Sequence, residues 1–243
     1  MVGNVRFGVD LVADDPNLTF IFFVALVLLG ALGVRFSFYA HRNDRVTDLA
    51  SQERLWRLLV VVGLTAALYA LLGVVEMVSS LGTPFRRAVL LAHVLALTLA
   101  LEALSRAAVP APAGAGDSDT ARRLTLIGTV TVAIVFVGSL LAADAPPVTA
   151  VEGLAAIGLA AAGITAGRRG ATASRVQGTV VDTLLRHLLP VLVFASLIPI
   201  SELAVLATLD RAIVLHIQVV FVIMTATALM TATIKLRQNL AGR

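Results

Sequence analysis

The chain contains no cysteine. That excludes disulfides, thiolate metal sites and cysteine nucleophiles, and it leaves the redox compartment unread. Lysine is nearly as scarce. Lys235 is the only one, so arginine supplies almost all of the basic charge. No P-loop, G-x-S-x-G elbow or HExxH pair occurs, which removes the common nucleotide, serine-hydrolase and zinc-protease signatures. The start of the chain shows no secretory pattern. Arg6, Asp10, Asp14 and Asp15 precede the first apolar run and no A-x-A site follows it, so that run is expected to be a retained helix.

What is present is apolar sequence. Hydrophobic residues make up 58% of the 243, and mean hydropathy is +0.94. Soluble domains run near 45–50% apolar. The excess sits in runs long enough to cross a bilayer, which takes about 20 residues. The expectation is an all-α, seven-transmembrane helix bundle forming a single integral domain over 1–243. The spans fall at 18–38, 55–79, 85–106, 123–143, 148–167, 182–207 and 211–236. The fifth is rich in alanine and glycine, and small residues let membrane helices approach closely. It is therefore expected against neighbouring helices. Helix six carries Pro190 and Pro199, which mark it for a bend. Trp56 sits where an interfacial aromatic anchor belongs.

Loop charge predicts orientation. With the N-terminus outside, the inner segments hold fifteen basic residues: Arg35, Arg42, Arg45, Arg54, Arg57, Arg106, Arg122, Arg123, Arg168, Arg169, Arg175, Arg186, Lys235, Arg237 and Arg243. The outer segments hold four: Arg6, Arg86, Arg87 and Arg211. The positive-inside rule gives N-out, C-in, in a multi-pass protein of the cell membrane. Without the fifth span, Arg168, Arg169 and Arg175 would fall outside. The pI near 10.6 thus reflects topology and not nucleic-acid binding. The lipid bilayer is the first partner, and a second copy or another membrane protein remains open.

Ionisable residues inside spans are costly and default to functional readings. They are Glu76, His93, Glu102, Glu152, Glu202 and His216. All but Glu102 fall in the outer half, on five different helices. If they point inward, they form an outward-facing polar pocket. Helical spacing adds Arg86 to the face of His93 and Tyr69 to that of Glu76. The pocket is therefore read as Glu76, His93, Glu202, His216, Tyr69 and Arg86, with His93 and His216 both facing the interior near Glu76 or Glu202. Three readings follow. One is a non-enzymatic protein that senses a small ligand or conducts protons or ions. A second is a metal- or haem-binding protein or enzyme using His93 and His216, since imidazole with carboxylate suits a divalent ion. A third is an accessory membrane subunit whose polar groups only pair helices.

Seven helices, N-out and C-in, with short loops, resemble the microbial rhodopsins. Leu68-Tyr69 looks like that family's aromatic site near the retinal. Arg86 or Arg87 resembles its arginine toward the extracellular half, and Ser196-Leu197-Ile198-Pro199 is similar to its serine-x-x-proline step. The resemblance implies a seven-helix scaffold with a central ligand site. The sequence departs from the family at two points. The stretch Thr225 to Met230, where the family places its retinal lysine, has no amine, and Lys235 lies too far toward the other end. Val89, Leu90 and Leu91 stand where a counter-ion carboxylate would be. No covalent retinal is expected, because the Schiff base needs a lysine amine.

Overall fold

The structure, a computed structural model, describes residues 11–12, 15–46, 53–79, 81–108, 117–142, 145–172 and 180–241. It contains α1 (Pro16–Val46), α2 (Glu53–Val78), α3 (Arg86–Ala108), α4 (Asp117–Ala142), α5 (Pro146–Ala171), α6 (Val180–Leu206) and α7 (Arg211–Ala241). All seven are long and apolar enough to cross a membrane. The expected fold class is therefore present. Several helices outrun the expected spans. α1 and α7 continue beyond 38 and 236, and α4 starts at Asp117 instead of 123. Span estimates from hydropathy stop where apolar residues stop, whereas a helix continues into water as long as its backbone bonds are satisfied. α6 runs unbroken through Pro190 and Pro199.

Each helix packs on its sequence neighbours, and α7 returns to α1 to close the ring. α3 is drawn inside, touching α2, α4, α5 and α6. Its span is 72% buried, against 17% for α4, so α3 is the axis and α4 the most lipid-exposed member. Leu91, Val94, Leu97, Leu101 and Leu104 of α3 join Leu184, Leu185, Leu188 and Leu192 of α6 and Val222, Ala226 and Leu229 of α7 in one apolar core.

Small residues set the close contacts. A Cβ on Gly63 of α2 would meet the Gly33 carbonyl oxygen of α1 at 2.5 Å and the Ser37 amide at 2.8 Å. Ser37 Oγ donates to the Val60 carbonyl at 2.9 Å across the same seam. The buried face of α5 runs through Gly153, Ala156, Ala160, Gly163, Gly167 and Gly170, as its composition suggested. There Thr98 Oγ1 of α3 donates to the Leu159 carbonyl at 3.0 Å. Trp56 corrects an expectation. It is 3% exposed and packs in the core, so it does not anchor at the lipid interface.

Helix ends follow capping chemistry. Asp15 Oδ1 accepts the Asn17 and Leu18 amides at 2.8 and 3.2 Å, with Pro16 in the first turn. Asp210 caps α7 by accepting the Ala212 amide at 2.7 Å. Between α6 and α7, Thr208 adopts φ 72°, and the Leu209 amide donates back to the Ala204 carbonyl at 2.9 Å. This closure wants a glycine, because a β-branched residue is strained in the left-handed region. Thr208→Gly is expected to stabilise the protein by about 1 kcal/mol, read as a higher midpoint in thermal unfolding in detergent. A lower midpoint would refute the assignment of strain.

Candidate functional site

One end of the bundle gathers the starts of α3, α5 and α7 and the ends of α2 and α6. The sequence places charge there in an unusual way. α3 begins with Arg86-Arg87 and has no acidic residue in its first turn. A helix N-terminus carries partial positive charge, so two cations there need carboxylates from elsewhere. Other helices supply them. Arg86 Nε lies 2.9 Å from Glu76 Oε2, near the end of α2. Arg87 Nε donates to Glu152 Oε2 at 2.6 Å, and its Nη2 donates to Thr149 Oγ1 at 2.9 Å, both on α5. The Glu152 side chain is only 2% exposed and that of Arg87 21%. This second pair is therefore the buried one. The Arg86 guanidinium also sits 5.6 Å from the centroid of the Tyr69 ring, within cation–π range.

A third polar contact joins α6 to α7. Gln218 Nε2 donates to Glu202 Oε1 at 2.6 Å. All three contacts border one cavity of about 420 Å³. Its lining includes Tyr69, Glu76, Arg86, Arg87, Thr149, Glu152, Glu202, Arg211 and Gln218, together with Thr83. Leu90, Ile198, Pro199, Val205, Leu206 and Leu215 supply apolar wall. The volume lies within the range of small-molecule sites, roughly 300–1,000 Å³.

Of the six residues read as a pocket, Tyr69, Glu76, Arg86 and Glu202 line this cavity. The two histidines do not. His93 is buried, at 2% exposure, and its Nδ1 lies 3.0 Å from Thr65 Oγ1 and 3.1 Å from the Val62 carbonyl. A carbonyl only accepts, so Nδ1 carries the hydrogen. His93 thus ties α3 to α2. His216 is exposed on the outside of α7, and its Nδ1 bonds the Ala212 carbonyl of its own helix at 2.7 Å. The expectation that both histidines face the interior is corrected here. The inward face of α7 carries Val214, Gln218, Val222, Thr225 and Leu229. His216 stands two residues from Gln218, about 200° around the helix. A metal or haem held between His93 and His216 has no geometric basis. Among the described residues, no group of three or more histidine, aspartate or glutamate side chains is placed to hold a metal. Glu102, at the other end of α3, pairs with Arg106 at 3.1 Å.

Gln218 and Thr83 were absent from the sequence-based set, which considered only ionisable side chains. A glutamine within an apolar span was the available signal for the first. Arg87 and Glu152 were visible as charged residues. Their mutual contact was not, since 65 residues separate them.

No family profile, curated protein or solved structure matches the chain.

Proposed function

We propose that this integral membrane protein binds a small polar ligand from the outside of the cell, without retinal and without conducting ions. The observation that carries the reading is the charged cavity at one end of the bundle, lying over an apolar core. Charged and polar side chains line the cavity. Beyond it α3 turns Leu91, Val94, Leu97, Leu101 and Leu104 into the apolar core, and its buried His93 and Thr98 are tied to backbone carbonyls of α2 and α5. An ion entering the cavity meets hydrocarbon, where it is costly. Binding followed by sensing fits this arrangement better than conduction. Loop charge gives the N-out orientation of the proposal and turns the cavity outward. Lys235 follows Gln218 by 17 residues along α7, a rise of about 25 Å, so its amine has no reach to the cavity.

The absence of cysteine makes the test direct. Val205→Cys places a lone thiol in the cavity wall, and Arg237→Cys places one at the other end of α7. In intact cells an impermeant maleimide is expected to label the first, and the second only after permeabilisation. The reverse pattern refutes the outward orientation. Proteoliposomes of the unmodified protein are expected to be as proton-tight as empty ones. A protein-dependent proton or cation flux overturns the binding reading in favour of conduction.

A further inference from the structure

We propose that the ligand is a small organic cation whose ammonium group is held by Glu202. The inference rests on the binding reading above and names the ligand's chemistry. The three carboxylates of the cavity are not equivalent. Glu76 has Arg86 at 2.9 Å, and Glu152 has Arg87 at 2.6 Å. Among the described residues Glu202 meets only neutral Gln218, at 2.6 Å. That amide orients the carboxylate and brings no charge of its own to it. A carboxylate offers several lone pairs, and Gln218 donates to one oxygen only.

Thr83 is a second, independent observation. Its residue is 6% exposed, it lines the same cavity, and among the described residues its Oγ1 has no hydrogen-bond partner. Buried hydroxyls are normally satisfied, and leaving one unpaired is costly. A bound molecule with a polar group there removes that cost. On the α6–α7 side the wall carries apolar Ile198, Pro199, Val205, Leu206 and Leu215, with Arg211 at the start of α7. The cavity is also too large for a bare metal ion. An ammonium carried on an apolar stem matches both halves of the wall: three N–H donors for Glu202, and hydrocarbon for the α6–α7 side. An anion finds the opposite situation, because Arg86 and Arg87 already hold carboxylates and Arg211, the third cation of the lining, is itself engaged.

The experiment uses the full chain in nanodiscs of zwitterionic lipid, with empty nanodiscs as blank. Three probes of matched shape are compared by equilibrium dialysis: 3-phenylpropylammonium, 3-phenylpropionate and 3-phenylpropanol. The amine is expected to bind more tightly than the acid and the alcohol. Glu202→Gln is expected to weaken the amine by about tenfold or more, the usual worth of a hydrogen bond to a charged group. The variant keeps an amide–amide bond to Gln218 and is expected to melt with the unmodified protein. Equal or tighter binding of the acid or alcohol overturns the cation assignment while keeping the cavity as a binding site. So does amine binding indifferent to Glu202→Gln. Failure of all three probes to bind overturns the binding reading itself. If Glu202→Gln does not fold, the charge preference of the unmodified protein still decides the sign.

Discussion

Arg87→Met is expected to destabilise the bundle by about 3–5 kcal/mol, the usual effect of removing one partner from a buried ion pair. The cause is what remains. Glu152 is 2% exposed and receives its hydrogen bond from Arg87 Nε at 2.6 Å. Without the guanidinium it is a buried carboxylate stripped of its ion pair, and Thr149 loses the Nη2 bond as well. The double variant Arg87→Met/Glu152→Leu is expected to recover most of the loss, because well-packed apolar replacements of a buried pair are often neutral. Arg86→Met is the milder comparison. Its partner Glu76 is 37% exposed, and solvent-facing pairs contribute about 0–1 kcal/mol. Denaturation in mixed detergent micelles orders the three variants. A double variant as unstable as Arg87→Met would show that packing, and not the stranded charge, sets the cost.

Gly63→Ala is expected to cost about 1–3 kcal/mol, as overpacking of a tight contact does. The new methyl meets backbone atoms, the Gly33 carbonyl at 2.5 Å and the Ser37 amide at 2.8 Å. Backbone has no rotamer by which to move aside, so α1 and α2 must separate. That separation also stretches the bond from Ser37 Oγ to the Val60 carbonyl. Gly158→Ala is the control. A Cβ there meets nothing within 4 Å, and alanine is the better helix former by about 0.5–1 kcal/mol. One glycine should therefore resist substitution and the other should welcome it. Equal effects would refute the close-packed seam between α1 and α2.

The helices were legible in the sequence because a bilayer leaves backbone few choices: a long apolar run forms a helix. Charged members of the site were legible for a related reason, since charge within a span is rare. Tyr69, Glu76, Arg86 and Glu202 came together as their positions suggested. The faces were harder. In a soluble helix the outside is polar, and a histidine can be placed by the pattern around it. On α7 the lipid side carries Ile213, Ile217, Val220 and Ile223, as apolar as the core side with Val214, Val219 and Val222. His216 therefore gave no sign of its direction, and its own helix satisfies it through the Ala212 carbonyl. Trp56 was misread for the same reason. Its place along the chain gave its depth and left its face open. The pairing of Arg87 with Glu152 needed the packing of α3 on α5, which no local pattern encodes.

That pairing also has a consequence in time. During synthesis Arg87 leaves the ribosome 65 residues before Glu152. At about 5–20 residues per second the interval is roughly 3–13 seconds. Arg86 has no such wait, since Glu76 is already made and lies on the preceding helix. Arg87 must reside at the membrane with its future partner unmade, while α4 is inserted and turned. Its place in the first turn of α3 makes this tolerable, because a long side chain at a helix end can hold its charged head among lipid headgroups. The insertion of α5 then brings Glu152 to that guanidinium and completes the pair. A nascent chain arrested before α5 should carry a headgroup-bound arginine where the finished protein has one paired with Glu152.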